Sequence, residues 1–304
     1  MGNCCSEGCE KKDSRNASII KAPIELQVLP HDVGGHGPPM RLVEEVKEIP
    51  YYRTSNTVHN LPLFAYDSDA PGDVELPFFP PYKLLENGAI YKGQWKDGQR
   101  HGRGEQYWPD GSEYQGYWRG NMANGRGRFI HAEGDIYEGE WVDGRAHGKG
   151  IYISTDGTRY EGQWFEDKQH GYGAQNWPNG DRYQGNFDMG KRQGKGKMVW
   201  GDGSAYEGEF YAGSIHGEGV YVWPDGRIYK GRWLDNFMNG RGEFNWPDGR
   251  LYVGEYVDDK RNGYGEMTWP DGTTYKGFWK DGKEFGEGAY YDGFGNKITK
   301  RPPY

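Results

Sequence analysis

The groups best suited to covalent chemistry lie in the first nine residues, MGNCCSEGC. With Met1 removed, Gly2 presents an α-amine, and Ser6 supplies the hydroxyl of the M-G-x-x-x-[ST] pattern for N-myristoylation. One myristoyl chain binds membranes weakly and reversibly, with K of order 10⁴ M⁻¹, so stable attachment needs a second signal. Lys11, Lys12 and Arg15 are offset by Glu7, Glu10 and Asp13, so that signal is not a polybasic patch. S-palmitoylation of Cys4 and Cys5, with Cys9 as a further acceptor, would supply it. All 3 cysteines of the chain lie here. Set so close together they make a poor disulfide framework, and a zinc site would need a fourth ligand.

Other candidate chemistry is weaker. Gly185 to Lys191 reads G-x-x-x-x-G-K, but Arg192 stands where a P-loop needs Ser or Thr. His101, His147, His170 and His216 recur in register, yet neighbours would sit two strand spacings apart, about 10 Å. They could not share an ion with bonds of about 2 Å, so a structural role in the loop between strands is expected. One carboxylate per Asp-Gly turn is too few for calcium. No Ser-His-Asp or paired-carboxylate constellation stands out. The expectation is a non-enzyme with no metal and no cofactor.

What positions these residues is a repeat. Tyr91, Tyr114, Tyr137, Tyr160, Tyr183, Tyr206, Tyr229, Tyr252 and Tyr275 recur every 23 residues without insertion or deletion. Such a period is the signature of a repeat array. With each tyrosine as position 1, positions 3, 12, 14 and 21 are always glycine, for example Gly93, Gly102, Gly104 and Gly111. Position 5 is always aromatic: Trp95, Trp118, Trp141, Trp164, Phe187, Phe210, Trp233, Tyr256 and Trp279. Position 18 is tryptophan in six units: Trp108, Trp177, Trp200, Trp223, Trp246 and Trp269. Glycine (51 residues) and aromatics (16%) outweigh what a thick aliphatic core would use, since the hydrophobic fraction is 34%.

Positions 1, 3 and 5 alternate with polar residues, as do 14, 16 and 18. That is the period of a strand. Each unit is therefore two short strands, and W-P-D-G or W-P-N-G marks the turn to the next unit. A two-residue Asp-Gly turn would put positions 1 and 18 on opposite faces. A three-residue loop, a type I turn followed by a glycine bulge, shifts the register by one. Position 18 then pairs with 22, 16 with the next tyrosine, and glycine 14 with glycine 3. All framework aromatics share one face, with glycines leaving room for their rings. The expected fold is all-β: an elongated, single-layer antiparallel sheet of tandem 23-residue β-hairpins, on the order of 85 Å long, curled so that rings pack on rings.

The sequence divides into an acylated anchor segment (1–15), an irregular or disordered tether (16–81) and the array (82–304, nine repeats from Tyr91). Arg41 to Ile49 places Leu42, Val46 and Ile49 on one helical face. LPLF (61–64) and LPFFPPY (76–82) are apolar and proline-broken, so not central strands. One of these stretches docking on the array is the alternative to a free tether. Net charge is −8, and neither the first 90 residues nor the remainder has a basic excess. That disfavours nucleic acid and bulk adsorption to anionic lipid.

The unit Y-x-G-x-W-x-x-G-x-x-H-G-x-G, completed by W-P-D-G and seen nearly whole in YKGQWKDGQRHGRGEQYWPDG (91–111), closely resembles the MORN repeat. The last unit departs from it, lacking Trp-Pro-Asp at its end (Tyr291-Asp292-Gly293-Phe294), as a capping repeat would. The resemblance implies a scaffold, of the kind found in junctophilins, axonemal radial-spoke heads, cortical membrane skeletons and adaptors for myosin tails. The expected function is a membrane-associated scaffold or adaptor on the cytoplasmic face of a plasma, cortical or inner membrane system. Its binding face would be the aromatic trough: Tyr114, Trp118, Tyr137, Trp141, Tyr160, Trp164, Trp177, Trp200, Trp223, Trp233, Trp246 and Trp269. The partner would be an amphipathic helix or extended peptide. One alternative is a phosphoinositide- or phospholipid-binding module. Another is a structural subunit of a cilium or cortical cytoskeleton. Homodimers through the array ends are also open, because terminal edge strands offer unpaired backbone groups.

Overall fold

The computed structural model describes residues 42–46, 61–67, 76 and 78–299. Gly2, Cys4, Cys5 and Cys9, with the whole 1–15 segment, lie outside the described residues. Among the described residues there are 21 strands and no helix. They belong to an open antiparallel sheet, and within each unit strands pair with their neighbours in the chain, as Gly93 with Gly104 and Gly242 with Gly254. The first strands are β1 (Leu42–Val46), β2 (Phe78–Leu85), β3 (Ile90–Lys96), β4 (Gln99–Tyr107), β5 (Glu113–Arg119), β6 (Met122–Ile130), β7 (Ile136–Val142) and β8 (Arg145–Ile153). The chain divides into two compact units. One runs to Pro178 and includes 188–190; the other holds 179–187 and everything from Lys191.

The turn chemistry sets the register as expected. In the first W-P-D-G, Gly111 N donates to the Trp108 carbonyl at 3.0 Å and Trp108 N to the Ser112 carbonyl at 2.9 Å. Gly111 takes the left-handed position, at φ 96°. Gln106 then faces Tyr114 and Gly104 faces Gly116. The other turn is tighter, only positions 7 and 8, both left-handed, as at Glu166 (φ 46°) and Asp167 (φ 66°). Asn or Asp at position 8 tolerates this backbone and also bridges repeats. The Oδ1 atoms of Asn121, Asp167, Asn236 and Asp259 accept the backbone N–H of Arg100, Ala146, Ile215 and Met238, at 2.7–2.8 Å.

Every framework tyrosine lies edge-on to the position-5 ring of its own repeat, and Tyr91, Tyr114, Tyr137, Tyr183, Tyr206, Tyr229 and Tyr252 also meet that of the next repeat. Tyr114 meets Trp118 at 4.9 Å and Trp141 at 5.5 Å; Tyr229 meets Trp233 at 5.0 Å and Tyr256 at 5.3 Å. Each hydroxyl donates to the carbonyl three residues on, as Tyr160 does to Gln163 at 2.9 Å. The indole of Trp141 donates to the Gly127 carbonyl at 3.0 Å, and that of Trp164 to Gly150 at 3.2 Å. The tyrosine ring crosses the glycine pair at positions 3 and 14. A Cβ on Gly104 would stand 2.2 Å from the Tyr91 hydroxyl. The glycines are there to let the ring lie on the backbone.

Three expectations need correction. Within the Arg41–Ile49 stretch, expected as irregular tether, the described residues Leu42–Val46 form β1, paired with β2, because the sheet edge offers their backbone groups partners. LPFFPPY is not excluded from the sheet interior, since β2 pairs with both β1 and β3. Its prolines fall where the β2–β3 register shifts, between Phe79 and Lys83, a bulge that needs no N–H from Pro80 or Pro81. The sheet therefore starts before residue 82. Third, the repeat histidines stand in strands rather than loops: His147 faces Glu140 and His170 faces Gln163, because the hairpin turn takes only positions 7 and 8.

Candidate functional site

The expected binding face is mostly core. Tyr114, Tyr137, Tyr160, Trp118, Trp141, Trp164 and Trp233 are all at most 2% exposed. Ring-on-ring packing within the sheet's own face consumes their surface, so they offer a partner nothing to touch. Trp269 is buried too. Of the residues expected to bind, the turn tryptophans Trp177, Trp200, Trp223 and Trp246 keep accessible surface, being half-buried. In the second unit Trp223 packs on Tyr221 and Phe244 at 4.5 and 5.2 Å, and Trp246 on Phe244 at 4.4 Å. Arg227 and Arg250 cover their outer sides at 5.4 and 5.1 Å.

The core also admits arginine at position 10. Arg261 lies over Trp279 at 4.2 Å and donates to the Gly282 carbonyl at 2.7 Å. Arg192 sits between Tyr183 and Phe210, where burial lowers its basicity. Burial likewise pushes up the hydroxyls of Tyr91, Tyr114, Tyr137, Tyr206, Tyr229 and Tyr252, the last to about 12. These groups hold the fold, with the tyrosines buried and the two arginines half-buried.

The opposite face carries positions 2, 4, 13 and 15. In the first unit it holds a groove of about 550 Å³. Its floor is the bare backbone of Gly139, Gly150 and Gly162, and its walls include Arg126, Glu138, Glu140, Lys149, Gln163 and Tyr172. Period-two alternation puts these polar side chains outward around that backbone floor. The walls are braced from within. Glu138 accepts from Arg128 Nη2 at 2.7 Å and lies 3.7 Å from Arg126 Nη2. The Glu140 and Gln163 carboxylate and amide oxygens take the backbone N–H of Lys149 and Tyr172, at 3.3 and 2.9 Å. Tyr172 is left 55% exposed.

One edge of the groove is already occupied. Residues 61–67, expected as part of a tether, dock on this same face across β4, β5 and β6, sharing Arg126 and Arg128 with the groove region. A tether this short can dock because arginines at positions 13 and 15 meet its carbonyls and its carboxylate. The face residues Tyr117, Arg126, Arg128 and Tyr172 were not among those expected to bind. Part of their signal was there to find: Tyr117 is the one tyrosine and Arg128 the one arginine of their repeat columns, whereas Arg126 shares a basic column with Arg103, Lys149, Lys195 and Arg241. Among the described residues no cluster of His, Cys, Asp and Glu could hold a metal, and no helix is long and apolar enough to cross a membrane.

Comparison with known proteins gives a family match and distant structural likenesses. The MORN repeat family model matches nine consecutive stretches: 91–113, 114–136, 137–159, 160–182, 183–205, 206–226, 229–249, 252–274 and 275–293. Among solved structures, the chain is similar to the G-box domain of the microcephaly protein CPAP, at 15% identity over 66% of this chain and 100% of that one, with a TM-score of 0.37. It is similar to the TCP10 domain of Danio rerio CPAP, at 14% identity over 72% and 98%, with a TM-score of 0.37. The TCP domain of Drosophila melanogaster SAS-4 (dCPAP), solved with a proline-rich motif of Ana2 (dSTIL), shows 16% identity over 51% and 85%, with a TM-score of 0.32. Likenesses this distant carry no functional argument. No curated protein matches the chain.

Proposed function

Because the chain belongs to the MORN repeat family, whose nine matched units fill it from Tyr91 to Gly293, we propose that it is a non-catalytic, membrane-attached scaffold that captures a protein on the polar face of its first unit. The observation that carries this reading is the division of labour between the two faces. The framework aromatics are spent on the core, whereas the outward face holds a groove with an accessible tyrosine and fixed charges of both signs. A mixed-charge wall with an aromatic anchor suits a peptide or protein surface. The anchor in this reading is acylation at Gly2 with Cys4 and Cys5, on the cytoplasmic face of a membrane. The lipid-binding reading has less support, since Arg126 and Arg128 are engaged by Asp67, Pro62 and Glu138.

The test is membrane fractionation together with proximity labelling, comparing wild type with Gly2→Ala. Release of Gly2→Ala to the soluble fraction, with loss of membrane-proximal labelled proteins, supports the anchored scaffold. Unchanged fractionation refutes the anchor. An unchanged labelled set after release would show that capture does not depend on membrane attachment.

A further inference from the structure

Residues 61–67 (LPLFAYD) sit on the array as a ligand would. Alternate side chains point inward: Phe64 is 8% exposed, while Leu63 is 94% exposed and Ala65 faces outward. Phe64 lies beneath the Arg126 and Arg128 guanidiniums, 5.9 and 5.8 Å from its ring centre. Tyr66 meets Phe64 edge-on at 5.1 Å and Tyr117 at 5.5 Å, and its hydroxyl donates to the Gly104 carbonyl at 3.2 Å. Arg128 Nη1 donates to the Pro62 carbonyl at 2.7 Å. At the other end the Asp67 carboxylate meets Arg126 at 2.5 Å, and its carbonyl accepts from Arg103 at 2.9 Å and from the Tyr117 hydroxyl at 3.2 Å.

Two features make this docking exchangeable. The segment is not part of the sheet, so its release breaks no strand pairing; its grips are array side chains and, at the Tyr66 hydroxyl, the backbone of Gly104 and Gly116. The Arg126–Asp67 pair is also accessible, with the two side chains 44% and 46% exposed, so solvent screens it and it locks the segment only weakly. Beside it lies the groove, which shares Arg126 and Glu138 with the docking surface and ends at Tyr172. A longer peptide could use both; the internal segment uses one.

The geometry points to an exchangeable peptide site. The surface over Arg103, Tyr117, Arg126 and Arg128 binds peptides of the pattern aromatic–x–aromatic–acidic, and residues 61–67 are its built-in occupant, masking it until a partner segment of that pattern displaces them. This deepens the scaffold reading by naming the ligand chemistry. It rests on the polar face being the binding face and does not require the membrane anchor.

The probe is a fluorescein-labelled LPLFAYD peptide, titrated by polarisation against full-length wild type and full-length Phe64→Ala/Tyr66→Ala. A tethered occupant acts at an effective concentration of order mM, and against a peptide Kd of ~0.1 mM this weakens the probe about tenfold in wild type. The unmasked protein should therefore bind about tenfold more tightly. Adding Arg126→Glu to it should lose at least tenfold, and a probe ending in Arg in place of the acid should recover that loss. The recovery excludes simple misfolding of the variant. Equal binding by masked and unmasked proteins overturns the proposal, as does binding indifferent to Arg126→Glu. Binding of phosphatidylserine vesicles, but not of peptide, by the unmasked protein also overturns it, since the arginines would then serve an anionic surface. If the probe fails while Tyr172→Ala still removes proximity-labelled proteins, the ligand assignment is wrong and the scaffold reading stands. If both fail, the polar face is not a binding face.

Discussion

Replacing Gly150 by alanine tests why the repeat needs glycine at position 14. The backbone there is not left-handed, so alanine is conformationally acceptable and by itself would stabilise by about 0.4–1 kcal/mol through the unfolded chain. The space is the obstacle. Its Cβ would stand 2.5, 2.6 and 2.7 Å from the hydroxyl oxygen, Cε2 and Cζ of Tyr137, where carbon contacts are normally about 3.5–4.0 Å. The ring must retreat by roughly 1 Å. It is held by Trp141 at 5.0 Å and Trp164 at 5.1 Å, and its hydroxyl by the Glu140 carbonyl at 3.0 Å. Overpacking costs about 1–3 kcal/mol, a lost hydroxyl bond about 1 and one disturbed ring pair about 0.5–1.5. The net loss should be about 2–4 kcal/mol. With Tyr137→Ala in place, which alone costs about 3–5 kcal/mol, Gly150→Ala should become neutral or mildly stabilising. The double-mutant coupling is then about 2–4 kcal/mol. Urea unfolding gives the energies, and hydrogen exchange at the Trp164 indole, bonded to the Gly150 carbonyl, gives the local effect expected of an array coupled only to its neighbours. A loss under 0.5 kcal/mol, or an equal loss with and without the ring, refutes the ring-over-glycine account.

Alkaline pH should unfold the array. Tyr91, Tyr114, Tyr137, Tyr206, Tyr229 and Tyr252 have hydroxyl pKa values raised by burial, Tyr252 to about 12, while the unfolded chain ionises near 10. Their contribution is intact below pH 10 and falls as pH rises above it, by up to about 1.4 kcal/mol per pH unit for each tyrosine still protonated. Absorbance at 295 nm should rise in two phases, exposed tyrosines such as Tyr172 and Tyr211 ionising first, and the buried framework tyrosines only with the loss of the far-UV signal. Arg261→Met keeps the stem but removes the charge over Trp279 and the bond to Gly282. It should cost about 1–2 kcal/mol, read as a lower urea midpoint. Asp259→Ala removes the acceptor for Met238 N–H at a left-handed position and should cost about 1–2 kcal/mol. Asp259→Asn keeps both properties and should melt within about 1 °C of wild type, by scanning calorimetry.

The array was legible because its cues agree. Alternation about Tyr and Trp, the W-P-D-G loop and the paired glycines all specify one register, and Gly104 opposite Gly116 is that register. The same pattern said which face the rings share but not how completely they fill it. Tyrosines wedged against the position-5 rings leave little of the framework accessible, a consequence of close packing that a list of aromatic positions does not contain. The outward residues were hidden for the opposite reason. Tyr117, Arg126 and Tyr172 vary from repeat to repeat, so reading by column averages them away. In the N-terminal part, Leu42–Val46 carried a helical spacing, but the free edge of β2 offered it backbone partners. The apolar LPLF stretch marked docking on the array as the alternative to a free tether, but where Phe64 and Tyr66 dock depended on arginines far along the chain, which no local pattern announces.

The central claim is that partners are read by the polar face and not by the framework aromatics. It is tested most directly by proximity labelling with two full-length variants matched to wild type in melting temperature. One is Tyr172→Ala/Lys149→Glu in the groove, and the other is Trp223→Ala on the aromatic side. The account requires the groove variant to lose the proteins labelled by wild type and the Trp223→Ala variant to keep them. The reverse pattern would contradict it.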